Sequence, residues 1–273
     1  MYLITGSRGQ LGRELAKLLP NAILTDSDSL DITNADAVNE FVRNNNVDTI
    51  INCAAYTAVD RAEDDEEAAY RVNVTGPENL AKSGARIVHI STDYVFDGTS
   101  NIPYTTDDAT CPVSAYGRTK RAGEIAVLEN APAAVVIRTA WLYSPYGNNF
   151  VKTMRKLGAE KTSINVVYDQ IGTPTCAADL AGAIVDILPQ IHDGMREVYH
   201  FTNEGVCSWY DFACAVMELS KLPCKVNPVP GTAYPTRAIR PAYSVLSKEK
   251  IKKDFNITIP HWREALIKCL KQF

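Results

Sequence analysis

Apolar residues arrive in short bursts through the first half of the chain: Tyr2-Leu3-Ile4-Thr5, Ala22-Ile23-Leu24-Thr25, Thr49-Ile50-Ile51-Asn52, Arg86 to Ser91 and Ala134 to Thr139. Several lack simple polar–apolar alternation, which predicts strands covered on both faces. Between them apolar positions recur at helical spacing, at Leu11, Leu15, Leu18 and Leu19 and again at Val38, Phe41 and Val42. Further helices are predicted from about Glu66 to Ser83, closed by Gly84, and from about Val113 to Glu129. Strands separated by helices of roughly ten residues or more predict a parallel sheet with right-handed crossovers. The fold class read from this rhythm is α/β, a Rossmann-like doubly wound parallel sheet.

Beyond about residue 150 the rhythm loosens. The pattern predicts helices near 150–157, 177–188 and 209–220, strands near 164–167 and 197–202, and a closing helix from about His261. Four prolines (Pro228, Pro230, Pro235 and Pro241) predict a loop over 226–244. This half reads as a smaller C-terminal lobe.

Composition narrows the function classes. With 273 residues, 46% hydrophobic and 22% charged, the chain has an ordinary globular make-up and needs no disulfide or metal staple. Lys and Arg number 28 against 32 Asp and Glu, so no basic field is present to draw nucleic acid. No apolar run approaches the roughly 20 residues of a membrane span, and no basic-then-apolar leader precedes the first strand. The expectation is a partner that is neither nucleic acid nor membrane. Seven scattered cysteines without a C-x-x-C, and four dispersed histidines, predict reduced thiols in the cytoplasm and no metal site.

Candidate chemistry begins at Gly6-Ser7-Arg8-Gly9-Gln10-Leu11-Gly12, spaced G-x-x-G-x-x-G between the first strand and the first helix. Gly6 permits the tight turn, Gly9 lets the backbone approach a pyrophosphate, and Gly12 lets helix and sheet pack closely. The free N–H groups of Gln10 and Leu11 at the helix start attract phosphate. Asp26, 20 residues after Gly6, stands where a carboxylate accepts from an adenosine ribose, favouring NADH. Arg8 could meet the 2′-phosphate of NADPH instead. The choice between NADPH and NADH stays open. On this reading residues 1–149, with a return of the chain near 177–203, form a dinucleotide-binding domain, and 150–176 with 204–273 form the substrate-binding lobe.

Tyr116 and Lys120 form Y-x-x-x-K on a predicted helix, four apart and so on one face. A phenol with a pKa near 10 is a poor proton shuttle at neutral pH. A neighbouring ammonium is expected to draw it down. The Lys120 ammonium can also hold a nicotinamide ribose. Thr92, just past the fourth strand, brings a hydroxyl to the carboxyl end of the sheet, where ligands of this architecture bind.

These residues, with NCAAYTAVD at 52–60, STDYVFDG at 91–98, RTAWLY at 138–143, DQIGTPT at 169–175 and Arg240-Pro241, closely resemble the extended short-chain dehydrogenase/reductase family. The likeness runs nearly end to end, and within the family it points to reductases of dTDP-4-keto sugars. It implies NAD(P)H-dependent reduction of dTDP-6-deoxy-L-lyxo-4-hexulose to dTDP-L-rhamnose. Carried over, Tyr116 donates the proton, Lys120 orients the ribose, and Thr92 hydrogen-bonds the reacting oxygen. Asp31 and Ile32 flank the adenine, and Ala54, Ala55 and Tyr56 the rest of the cofactor. Val59, Asp93, Tyr94 and Trp141 line the sugar pocket. Arg240 is assigned to the diphosphate, because a guanidinium matches phosphate bidentately.

Two departures stand out. Cys53 replaces a usual alanine, a packing change. Some members hold Mg²⁺ at a dimer interface through three glutamates, and the matching positions here are Glu14, Asp179 and Gln272. The neutral amide weakens a hard-cation site, so metal linkage of a homodimer is expected to be lost or weak. The acidic run Glu63 to Glu67 reads as a solvated helix start favoured by the dipole. Two other readings fit the same motifs: a different nucleotide-sugar epimerase or dehydratase, and a non-catalytic regulatory subunit resembling that of methionine adenosyltransferase.

Overall fold

The computed structural model describes residues 1–273. Six parallel strands form the central sheet: β1 (Tyr2–Thr5), β2 (Ile23–Thr25), β3 (Thr49–Asn52), β4 (Arg86–Thr92), β5 (Ala134–Thr139) and β6 (Arg196–His200). Their order is β2-β1-β3-β4-β5-β6. The direction of growth reverses between β1 and β3, and a crevice opens there at the carboxyl ends.

Period-2 geometry explains the run-like strands. Ile4, Ile51, Val88 and Val135 face one core, together with Leu11 and Leu15 of α1 (Gln10–Leu18). Leu3, Ile50, Ile87 and Val136 face the other, against α2 (Ala35–Asn44) and the helix that ends the crossover to β4. Every residue of β3 and β5 is buried.

The predicted helix 66–83 is broken. After α3 (Val59–Ala62), α4 (Glu66–Tyr70) passes through a π-helical turn at Arg71–Thr75 into α5 (Gly76–Lys82). Pro77 has no N–H to return to the Asn73 carbonyl, so the ordinary ladder cannot continue there. The Asn73 side chain instead clasps the backbone of Tyr56 (2.8 and 3.2 Å) and reaches Thr119 Oγ1 at 3.1 Å.

A second core of 17 buried residues organises the C-terminal part. It lies among α7 (Phe150–Glu160), α9 (Trp209–Leu219) and α11 (Trp262–Leu270), whereas α8 (Ala177–Ile187) packs on the main sheet. The stretch read as loop contains a strand, Lys225–Val229, paired in parallel with Ser163–Val167. Pro228 is tolerated because this sheet has only two strands, leaving one side of each unpaired. A short helix, α10 (Glu249–Phe255), was also unpredicted; Ile251 is its one buried residue, too little for an apolar period.

Helix α6 (Ala115–Asn130) is tied to the sheet by charge. The fully buried Glu124 carboxylate accepts from Arg138 on β5 at 2.8 Å through both oxygens, from Ser91 on β4 at 2.5 Å and from Arg121 at 3.0 Å. Removing one member of such a group leaves an unpaired buried charge. Glu124→Gln is therefore expected to destabilise the protein by about 3–5 kcal/mol, with part of the loss recovered in Glu124→Gln/Arg138→Met. Urea unfolding midpoints would show it; a midpoint unchanged by the single substitution would contradict it.

Candidate active site

The glycine turn lies directly in the crevice. Gly6 has φ +64°, and a Cβ there would sit 2.7 Å from the Ala54 nitrogen, so the turn meets the end of β3 without room for a side chain. Gly9 is the N-cap of α1 and supplies no side-chain cap. The N–H groups of the first helical turn are thus left facing a cavity of about 870 Å³, which Gly6, Gly9, Gln10, Leu11 and Gly12 line. A Cβ at Gly9 would meet only the Gly6 carbonyl, at 3.1 Å, and would project into space that a phosphate could use. Donor set and shape fit a dinucleotide.

Farther along the same cavity stand Asp26, Asp31, Ile32, Ala54, Ala55 and Val59. The Asp26 carboxylate accepts from the N–H groups of Arg8 (3.0 Å) and Ser27 (3.1 Å). Asp31 accepts from Thr33. Two expected cofactor residues do not line the cavity. The Arg8 guanidinium pairs with Asp28 at 2.6 Å, and Tyr56 is held by Asn73 with its ring against a small alanine cluster. Gln10 does line it, but its amide also ties the turn to the segment leading into residue 150, through Leu142, Ser144 and Asn149.

Ser114 caps α6 by accepting from the Gly117 N–H at 3.1 Å. A Cβ at Gly117 would collide with the Tyr94 carbonyl, so glycine brings the helix close to the end of β4. Tyr116 and Lys120 both face the cavity. Lys120 is only 2% exposed and donates from Nζ to the Ile90 carbonyl at 2.6 Å. Burial lowers its pKa to about 8, partly offset by the Glu124 carboxylate. The expected acidification of Tyr116 is not what this geometry gives. Burial raises the phenol pKa, the Thr92 hydroxyl partly countering and the Asp93 carboxylate adding to it. The lysine ammonium is directed to a main-chain carbonyl and exerts no comparable pull.

Thr92 closes β4; its Oγ1 accepts from the Tyr94 N–H at 3.2 Å and donates to Asp93 Oδ1 at 3.0 Å. Asp93 is buried with Oδ2 unpartnered, and burial pushes its carboxyl up to about 6 against the pull of Ser244 and Thr92. The Tyr94 ring meets Tyr116 edge-on, centroids 5.5 Å apart. Its phenol is pushed up to about 12 by burial, which the nearby Arg240 guanidinium partly offsets.

Trp141 stands at the junction with a second cavity of about 280 Å³. Its backbone is left-handed, φ +50°, and its indole stacks on Trp209 at 3.6 Å. Trp209 lines both cavities and was missed by sequence reasoning. As the first residue of a helix it carried no signal of where its ring would point. Arg240 lines the smaller cavity, with Nη2 on Asp60 at 2.6 Å and Nη1 buried and unpartnered. The structure therefore brings Thr92, Asp93, Tyr94, Tyr116, Lys120 and Trp141 to one cavity and Arg240 to its neighbour, which shares Tyr94, Trp141 and Trp209.

Of the positions matched to a family metal site, Glu14 pairs with Lys17 at 2.8 Å and Asp179 accepts from Asn203 at 2.7 Å.

Comparison with known proteins places this geometry. The family model described as RmlD substrate binding domain matches residues 1–273. A dTDP-4-dehydrorhamnose reductase of Aggregatibacter actinomycetemcomitans is 42% identical, covering 97% of this chain and 96% of its own. A probable dTDP-4,6-dihydroxy-2-methyloxan-3-one 4-ketoreductase of Streptomyces antibioticus is 44% identical over 97% and 92%. Among solved structures, dTDP-4-dehydrorhamnose reductase of Bacillus anthracis in complex with NADP superposes with a TM-score of 0.96, 38% identity, and coverage of 100% and 99%. The chain belongs to the RmlD substrate binding domain family, the family of these dTDP-sugar reductases.

Proposed function

We propose that the protein is an NAD(P)H-dependent reductase that converts the 4-keto group of dTDP-6-deoxy-L-lyxo-4-hexulose to the hydroxyl of dTDP-L-rhamnose. One observation carries this reading most directly. The Tyr116 phenol, the Thr92 hydroxyl and the uncapped start of α1 line one cavity, and a pocket beside it carries a partly unpaired arginine. The relatives' names support the substrate class, and the bound NADP of the Bacillus anthracis enzyme supports the cofactor.

When bound, the reduced nicotinamide supplies a hydride, and the rest of the chemistry belongs to this chain. The start of α1 would hold the pyrophosphate, with Gly9 leaving it room, and Ala54 and Ala55 would line the path toward the nicotinamide end. Asp26, Asp31 and Ile32 would meet the adenosine half. Lys120, fixed by the Ile90 carbonyl, would hold the ribose through its ammonium. Tyr116 gives its phenolic proton to the 4-oxygen as C4 gains the hydride, so the carbonyl gains one hydride and one proton in all. For a reduction the useful resting form of Tyr116 is the neutral phenol, which is the form burial favours. Thr92, whose hydroxyl proton rests on Asp93 Oδ1 here, would turn that one proton to the same oxygen. Val59, Asp93, Tyr94 and Trp141 enclose the sugar, and Arg240 turns Nη1 to the diphosphate.

Tyr116→Phe is expected to keep NAD(P)H affinity and to lower kcat by about 10²–10⁴. Oxidation of NAD(P)H followed at 340 nm with the dTDP-4-keto sugar would measure it, and an unchanged kcat would refute the assignment. UDP and GDP keto sugars in the same assay test the base, with much weaker turnover expected.

The pH dependence follows from Lys120. Its folded pKa lies below the ordinary 10.5, at about 8, so its charge disappears in a range where an exposed lysine keeps it. The dissociation constant for NAD(P)H should therefore rise as pH passes upward through about 8. Lys120→Met should bind weakly with no such step. A wild-type affinity flat between about pH 7 and 9.5 would contradict the ribose contact.

A further inference from the structure

The acidic stretch from Asp60 to Glu67 holds six carboxylates in eight residues. Left in water, such a run would only repel itself. Here it is bonded on two sides. Asp60 accepts from Arg240 Nη2 at 2.6 Å and from the Ala238 N–H at 3.1 Å, and Asp64 pairs with Arg237. These partners sit on the segment 230–241, whose Tyr234, Thr236, Arg240 and Pro241 wall the smaller cavity. On the other side Glu63 accepts from the Ala115 N–H at 2.8 Å, and Glu66 takes a two-pronged contact from Arg118 at 2.7 and 3.1 Å. Ala115 and Arg118 flank Tyr116 in the first turn of α6. The remaining two acids differ: Asp65 caps α4 through the Ala68 N–H at 3.0 Å, and Glu67 is exposed with no partner.

Apart from these bonds, the substrate-facing segment is held at its start, where the Gly231 N–H donates to the Asp169 carboxylate at 2.8 Å. Ala238 is buried, but Tyr234 is 62% and Ile239 65% exposed. Yet Arg240 must present Nη1 to one end of the substrate while Tyr116, more than 100 residues earlier, meets the other. Loose segments cost affinity when binding orders them, and small misplacements of a reacting group cost turnover. Individually, exposed ion pairs such as Arg118–Glu66 contribute little. Four acids on one short stretch, reaching both elements, act jointly.

We propose that Asp60, Glu63, Asp64 and Glu66 are positioning residues that hold the segment bearing Arg240 in register with the first turn of the tyrosine helix. The proposal rests on the reduction set out above: it names what aligns the nucleotide diphosphate, gripped by the segment, with the proton donor.

Two paired variants and a control test it on the full-length protein. Asp60→Asn/Asp64→Asn should raise KM for the dTDP-4-keto sugar roughly tenfold, as expected for loss of a charged hydrogen bond, and change kcat much less. Glu63→Ala/Glu66→Gln should lower kcat roughly tenfold with a smaller effect on KM. Glu63→Gln, which can still accept the Ala115 N–H, should restore most of the loss. Glu67→Gln should be silent, and the dissociation constant for NAD(P)H should hold in every variant. Amide hydrogen exchange read on the same proteins should rise over 230–241 in the first variant and over 113–120 in the second. A Glu67→Gln effect equal to that of the paired variants would overturn the proposal. So would unchanged exchange in both segments. Failure of the wild type to reduce the keto sugar would fall on the assigned reaction instead, and the exchange measurements would still decide the positioning role.

Discussion

A lysine ammonium removed from water must find an acceptor, and Lys120 finds the carbonyl of Ile90 in β4. Much of the site follows from that bond. It presses α6 against the sheet at the carboxyl end, where the strand direction of an α/β fold opens a crevice. One turn later Glu124 repeats the attachment from the same helix, to Arg138 and Ser91. With two buried charged contacts fixing its face, α6 carries Tyr116 to the cavity floor. The helix cannot rotate without exposing both anchors to an apolar interior.

The electrostatics of the site follow from burial more than from pairing. Desolvation raises Tyr116, Tyr94 and Asp93 and lowers Lys120, so each is shifted toward its neutral form. For a reductase this has a direct use. The proton to be given away is already on the phenol, and an alkoxide forming beside it is a far stronger base than the phenolate it leaves. Trp141 shows the cost side of the same site. A non-glycine residue at φ +50° carries strain on the order of 1–3 kcal/mol. The face-to-face stack on Trp209 offsets it and fixes the wall shared by the two cavities.

What could be read from the sequence was whatever repeats locally. The strands β1 to β5, the glycine turn and the four-residue spacing of Tyr116 and Lys120 each leave a signature within a few residues. The misses depend on distant partners. Pro77 breaks a helix only because the Asn73 carbonyl would have needed its N–H; Pro228 sits in a strand only because that strand has a free edge. Lys120 was placed on the right face, but its ammonium turns to Ile90, thirty residues away, and so leaves the phenol high. The run at 63–67 is the exposed helix start that its charge pattern suggested, with Asp65 capping α4, but the pairing of Asp64 with Arg237, more than 170 residues downstream, and of Glu66 with Arg118 left no local signal.

The central claim is that burial keeps Tyr116 a neutral phenol in the free protein, ready to donate. Carbon-13 labelling of the tyrosine Cζ atoms, with Tyr116→Phe to assign the resonance, would read its ionisation in a pH titration. The account predicts that the Tyr116 signal stays at its phenol position up to about pH 10, the ordinary tyrosine value, or beyond. A shift to the phenolate position between about pH 6 and 8 would contradict it and return the activating role to the Lys120 cation.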